Sequence, residues 1–287
     1  MAIADTPAAD AAIRIERLSL RYDSVTVLKG IDLQVERGSI VGLVGRNGAG
    51  KSSLMNCLVG LTRPQDGAAH VLGAPSIALP DAVRERIGYV AQRPDLLEWL
   101  TVGEHVQYIG SFYANWSRER ARALCLRFGL VEGARVRRLT PGEQQRLALV
   151  LALAHDPELL LLDEPVSSLD PLGRRDFLRL LFEGFEPRTA IISSHLLGDL
   201  ERVISHVVFL HEGRVQLAGA WDEIVEQVRQ VRSAQAIAEL PGLLRSRAHD
   251  GQWQHLVDLR RYPRSALPTD RSERALNLDD LFEELQQ

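Results

Sequence analysis

The sequence is poor in the residues that build covalent or metal-held scaffolds. Its 287 residues hold two cysteines, Cys57 and Cys125, far apart and in no CxxC pair. That excludes a disulfide framework and a thiolate zinc site, and it suits a reducing compartment. Two small buried hydrophobes are the simplest account of them. An excess of either charge is missing too. A net charge of -4, a pI near 6.1 and no long like-charge run leave no general basic footprint for nucleic acid. No apolar run approaches the ~18 residues that a membrane span requires. The N-terminus "MAIADTPAADAAIRIE" lacks a basic region followed by an apolar core. The expectation is a protein that is neither exported nor able to cross a bilayer by itself. Lysine is the sharpest deficit: of 34 basic residues only Lys29 and Lys51 are lysine. Where arginine stands for nearly every cation, a surviving lysine marks a place where a compact ammonium matters.

What is present is ample apolar material, 45% of the chain, enough for a sizeable core at this length. Residues 13–20 alternate like a half-buried strand, and "GSIVGLVG" reads as a continuous apolar strand, buried on both faces, that ends in glycines. A helix pattern, "KSSLMNCLVGL", follows at once. Residues 81–153 read as mainly helical, with periodic segments "VGEHVQYIGSFYA", "RERARALCLRFGL" and "GEQQRLALVLALA"; then "ELLLLDEP", "TAIISSH" and "HVVFLHEGRVQLAG" return to buried strands. This order predicts an α/β fold with a parallel-sheet core interrupted by a helical insertion. After Trp221 come a helical start "WDEIVEQV", two candidate strands "VRQVRSAQAI" and "QWQHLVDL", and an amphipathic helix "LNLDDLFEELQQ" capped by Asn277. Pro263 and Pro268 mark a loop, so the tail reads as a small accessory unit rather than as disorder. Its basic cluster "DLRRYPR" reads as a solvated arginine-rich loop, with lipid headgroups as the alternative.

The sequence "GRNGAGKS", residues 45–52, fits G-x-x-x-x-G-K-[ST] between a predicted buried strand and a helix. Small residues let backbone N–H groups wrap phosphates, the helix N-terminus adds a favourable dipole, and Lys51 reaches the β and γ phosphates. Ser52 can offer its hydroxyl to magnesium. In "LLLLDEP" a buried strand carries Asp163 to its C-terminal edge, the end at which open α/β sheets bind ligands, and places it for the magnesium shell. Glu164 follows immediately. A carboxylate beside the γ-phosphate can orient and polarise an attacking water, which makes Glu164 the candidate general base.

With these pieces in order, the chain resembles the ATP-binding subunit of an ABC transporter over residues 13–221. The resemblance implies a P-loop NTPase of ABC ATPase type: an N-terminal antiparallel β part, a helical signature insertion at about residues 93–153, and a small C-terminal α+β accessory domain at 222–287. Residues 1–12 would be a flexible N-terminus. ATP and Mg2+ are the implied cofactors, held by Gly45, Arg46, Asn47, Gly48, Ala49, Gly50, Lys51, Ser52 and the adjacent Ser53. Tyr22 matches the aromatic that stacks on adenine. Gln92 in "VAQ" matches the glutamine that senses magnesium and the membrane partner, Asp170 in "SSLD" the loop that touches the opposite subunit, and His195 in "SSH" the switch histidine at the γ-phosphate. The implied partners are separate transmembrane permease subunits and a second ATPase subunit, as homodimer or heterodimer, with no nucleic acid; the implied place is cytoplasmic, on the inner face of the membrane. The stretch after Gln92 and the closing "LNLDDLFEEL" are similar to bacterial ABC-2-like exporters, where a short membrane-subunit helix enters a groove that Trp99, Val102 and Val106 are candidates to line.

One family motif departs from the pattern. In place of "LSGGQ" stand Leu139, Thr140, Pro141, Gly142 and Glu143. Thr140 reads as an N-cap, Pro141 as N1, where its missing N–H does least harm, and Glu143 at N3 as the second half of a capping box. The helix should start cleanly, but one backbone donor toward phosphate is gone. Two other readings compete with the transporter subunit. One is a soluble ATPase acting on DNA or ribosomes, which the lack of a long coiled coil or a tandem second cassette disfavours. The other is a regulatory module that clamps ATP with little turnover.

Overall fold

In the computed structural model, residues 11–166, 174, 177, 188–194, 200–249 and 251–286 are described. Two long strands, β1 (Ala11–Tyr22) and β2 (Val25–Glu36), form an antiparallel hairpin, and the all-apolar β3 (Ile40–Val44) leads through the glycine-rich loop into α1 (Lys51–Leu58). Strands β4 (Asp66–Val71) and β5 (Ala74–Pro75) complete a four-stranded antiparallel sheet in the order β2-β1-β4-β5. After the short α2 (Asp81–Arg84) comes β6 (Ile87–Val90), a strand where the sequence pattern predicts helix. The helical insertion follows as α3 (Val102–Gly110), α4 (Arg118–Arg127) and α5 (Pro141–Leu153). Strands β7 (Leu159–Asp163), β8 (Thr189–Ser194), β9 (His206–His211) and β10 (Arg214–Ala220) then join β3 and β6 in a six-stranded sheet ordered β10-β9-β3-β8-β7-β6. Every pairing in it is parallel except the β10 edge.

Side chains alternate across a strand, so a buried sheet must feed two cores. Leu159 and Leu161 of β7 enter the apolar cluster shared with α1 and the antiparallel sheet, whereas Leu160 and Leu162 enter the one shared with the helical insertion. This explains why β7 is apolar at four successive positions. The pairing also fixes the functional edge: Val44 lies opposite Ser194, and Ser193 lies opposite Asp163, so the carboxyl ends of β3, β8 and β7 stand side by side.

The remaining elements are α6 (Trp221–Gln227), β11 (Val228–Ser233), β12 (Leu243–His249), β13 (Gln252–Asp258), β14 (Ser272–Ala275) and α7 (Leu278–Gln286). The four strands make an antiparallel sheet ordered β12-β13-β11-β14. Asn277 caps α7 as its sequence predicts, accepting from Asp280 N–H at 2.7 Å. Leu278, Leu281 and Leu285 of α7 are buried in the cluster that also contains Val90 and Phe209, so the accessory sheet and the larger sheet share one apolar interior. Arg260 of the basic cluster is bound internally, donating to Asp258 at 2.9 and 2.8 Å. Among the described residues no helix is long and apolar enough to cross a membrane.

Candidate functional site

The loop between β3 and α1 can take its course only with glycine at its ends. At Gly45 a Cβ would stand 2.4 Å from the Leu210 carbonyl oxygen; Gly50 adopts φ 106°, and a Cβ there would meet Leu28 Cδ2 at 2.8 Å. The N-terminus of α1 has no side-chain cap. Its first N–H groups are therefore not claimed by a capping side chain, which suits an anion. Lys51, 6% exposed, folds back over this loop: its Nζ donates to the carbonyls of Gly45 (2.6 Å) and Arg46 (3.3 Å) and pairs with Glu164 Oε1 at 3.2 Å. A compact ammonium with three donors fits that arrangement, whereas a planar guanidinium does not.

Tyr22, Val27, Arg46, Asn47, Gly48, Gly50, Lys51, Ser52, Ser53, Gln92 and Glu164 line one cavity of about 440 Å³. This brings together residues from the tip of the β1–β2 hairpin, the phosphate loop, the end of β6 and the end of β7. Tyr22, 46% exposed, forms the cavity's outer edge. Gly45 and Ala49 shape the loop's backbone without facing the cavity, and Asp163 is buried behind it at the end of β7. Leu139, Thr140, Pro141, Gly142 and Glu143 do not line the cavity. Asp170 and His195 lie outside the described residues. The donors that could hold a divalent cation, Ser52, Gln92 and Asp163, are all oxygens, the chemistry of a hard ion that retains waters and takes its other ligands from phosphate. A bound Mg2+ would supply charge neutralisation at the β and γ oxygens.

Sequence reasoning missed Ser193. Fully buried, it donates through Oγ to Asp163 Oδ1 (2.6 Å) and accepts from Glu164 N–H (2.8 Å). One hydroxyl thus orients the predicted magnesium carboxylate and secures the turn that aims the predicted base. That turn is strained, because Glu164 has φ 49°, a left-handed conformation that costs a non-glycine residue about 1–3 kcal/mol. Ser193→Ala is expected to lower stability by about 1–3 kcal/mol, since the buried Glu164 N–H loses its acceptor. Turnover should fall about tenfold as Asp163 loses its orientation. Denaturant unfolding and phosphate release check this; a variant matching wild type in both would show that the hydroxyl orients nothing.

The altered motif forms the predicted capping box. Glu143 N–H donates to Thr140 Oγ1 (3.3 Å), while Glu143 Oε2 accepts from Thr140 N–H (2.8 Å) and from the Thr140 hydroxyl (2.8 Å), with Pro141 in the first turn. These bonds, the backbone one foremost, hold the Glu143 carboxyl below the usual glutamate range. Their stabilisation is present above that range and is lost as pH falls through the lowered value. The carboxylate therefore points back onto its own helix. Of the three groove candidates, Trp99 is 68% exposed, Val106 is half-buried, and Val102 is fully buried in the insertion's core.

A protein-family model described as ABC transporter matches residues 28–167. The chain is 35% identical to a nickel import ATP-binding protein of Rhodobacter capsulatus, over 80% of this chain and 98% of that one. It is equally 35% identical to a daunorubicin resistance ATP-binding protein of Streptomyces coeruleorubidus, over 75% and 70%. Across such relatives it spans from 58% to 98% of their length. Among solved structures, the ATP binding subunit of an ABC transporter superposes with a TM-score of 0.68 at 31% identity, covering 75% of this chain and 92% of that one.

Proposed function

Because the chain belongs to the family of ABC transporter ATP-binding proteins, we propose that its cavity binds and hydrolyses ATP to drive separate membrane subunits. The observation that carries this is the convergence of Tyr22, Lys51, Ser52, Gln92 and Glu164 on one space. In this reading Tyr22 stacks on adenine, the residues 45–53 hold the phosphates, and Ser52, Gln92 and Asp163 hold magnesium. Glu164 takes the proton of the attacking water. His195 contacts the γ-phosphate, and Asp170 meets a second ATPase subunit. Residues 13–221 form the ATPase unit and 222–287 its accessory unit. The protein works from the cytoplasm against the inner face of the membrane, held there by its membrane subunits.

For direction of transport we favour export. Support comes from the likeness of the stretch after Gln92 to ABC-2-like exporters and from the drug-resistance relative; the nickel import relative stands against it. The membrane partner selects the cargo.

Residues 139–143 serve the ATP held by the second subunit, through the Gly142 N–H and the Thr140 hydroxyl. Thr140 must turn from Glu143 to donate to phosphate, and Pro141 donates nothing, so this motif is weaker than one with two glycines. A lost charge-assisted hydrogen bond is worth roughly 1.5–3 kcal/mol, or about ten- to a hundredfold in rate. The same geometry supports a second reading, in which this chain clamps ATP with little turnover until a partner supplies a stronger motif. The combined variant Thr140→Ala with Gly142→Asp separates them. If the motif is active, turnover drops about ten- to a hundredfold while ATP still binds; unchanged turnover shows that the motif contributes nothing.

A further inference from the structure

Helix α7 is fastened to two different sheets by Glu284 and Gln286, two positions apart in its last turn. Glu284 Oε1 accepts from Gln230 (2.9 Å), Gln254 (3.0 Å) and Arg247 (3.0 Å), while Arg245 donates to the Glu284 carbonyl at 2.7 Å. All four donors stand on β11, β12 and β13 of the accessory sheet. Gln286, 8% exposed, turns the other way: its Oε1 lies 2.9 Å from His211 Nδ1, in a hydrogen bond that the ring N–H donates. Leu281 and Leu285 seat the same helix in the cluster that holds Val207 and Phe209 of β9.

His211 ends β9 and opens a two-residue turn in which Glu212 and Gly213 both have positive φ, 45° and 77°. That turn is the back wall of the phosphate loop. Gly213 N–H donates to the Ala49 carbonyl (3.1 Å), and the Gly213 carbonyl accepts from Lys29 N–H (2.8 Å). The Leu210 carbonyl occupies the space behind Gly45. A path thus runs from the accessory unit through the Gln286–His211 hydrogen bond, along the backbone of the turn to Gly213, and through the Gly213 N–H to the loop that carries Lys51.

We propose that His211 is a positioning residue for the nucleotide site, through which docking of the C-terminal helix sets the affinity of the phosphate loop. This rests on the ATP reading given above. A phosphate loop binds through N–H groups that must be aimed before the ligand arrives, and freedom left in its backbone is lost on binding at a cost in affinity. The Gly213 bond restrains the Ala49 peptide only as firmly as the turn is itself held. The ladder with β10 holds the turn along its length, and the His211 bond to Gln286 holds its flank. Linkage is reciprocal, so ATP must tighten the α7 dock by the factor by which the dock tightens ATP.

The test is equilibrium binding of MgATP to the full-length chain, compared among wild type, Gln286→Leu, His211→Ala and His211→Asn. Gln286→Leu keeps the buried volume but removes the acceptor, and His211→Ala removes the donor. Each should raise the ATP Kd about five- to tenfold, the lower end of measured couplings between sites. His211→Asn can place an amide N–H where the ring N–H stood, and should return the Kd to within about twofold of wild type. ATP should also slow amide hydrogen exchange in α7 of wild type, but not of Gln286→Leu. Wild-type binding with an unchanged Kd in Gln286→Leu and His211→Ala overturns the proposal. So does a His211→Asn variant as weak as His211→Ala, because ring bulk rather than the hydrogen bond would then be responsible. Should Gln286→Leu fail to fold, the two His211 variants decide. A wild type that binds no ATP removes the nucleotide reading itself, and the proposal with it.

Discussion

Glu164→Gln is expected to stop turnover while leaving ATP binding within about threefold of wild type. A positioned general base contributes about 10²–10⁴ in rate, and an amide of the same shape has no basicity with which to take a proton. The site makes this a clean experiment. Glu164 is 3% exposed, its backbone is fixed by Ser193, and Lys51 keeps the Gly45 and Arg46 carbonyls when the carboxylate is neutralised by substitution. The variant loses the ion pair with Lys51 and should be less stable than wild type without nucleotide, but it should still fold, bind and close without reacting. Phosphate release and equilibrium binding on one preparation separate the two effects; a parallel loss of binding would assign Glu164 to holding the loop rather than to chemistry.

Lys51→Ala is expected to act on binding. The ammonium now bound to two loop carbonyls and to Glu164 is the group that phosphate oxygens would recruit. Charge-assisted hydrogen bonds contribute about 1.5–3 kcal/mol each, so losing two would raise the ATP Kd by roughly 10²–10⁴. The same change removes the buried cation beside Glu164, a kind of loss that costs up to about 3–5 kcal/mol in the ligand-free protein. Lys51→Ala should accordingly melt earlier than wild type without nucleotide. Lys51→Arg should restore neither property, because a planar fork cannot occupy the space of a compact ammonium in a site this closed. Recovery of binding by arginine would remove the reason offered for this lysine surviving in an arginine-dominated chain.

Lys51 and the rest of the phosphate loop, residues 45–52, were readable because their chemistry is local: a strand, a glycine turn and a helix start are contiguous in sequence. The helix caps were readable for the same reason, since the capping box of Thr140 with Glu143 and the N-cap bond of Asn277 with Asp280 each span three residues. Ser193 was not, because its role arises only when β7 and β8 pair in register and set it beside Asp163. His211 and Gln286 are 75 residues apart, and neither belongs to a motif. Strands β2, β4, β5, β6, β12 and β14 were not read from the residues, and three of them show why. β6 is four residues between helical patterns, and β14 is exposed along its whole length, so neither shows an apolar period. β12 carries Arg245 and Arg247, which reach Glu284, in positions where apolar residues would have signalled a strand. Helix α3 shows the limit of periodicity, which placed Val102 and Val106 on one stripe but not the depth at which each would lie.

Phosphate release from MgATP by the purified chain, followed as protein concentration is raised and beside Glu164→Gln at each concentration, tests the central claim most directly. Specific activity should climb as chains complete one another's sites, with Glu164→Gln silent throughout. Release from Glu164→Gln at the wild-type rate would contradict that claim.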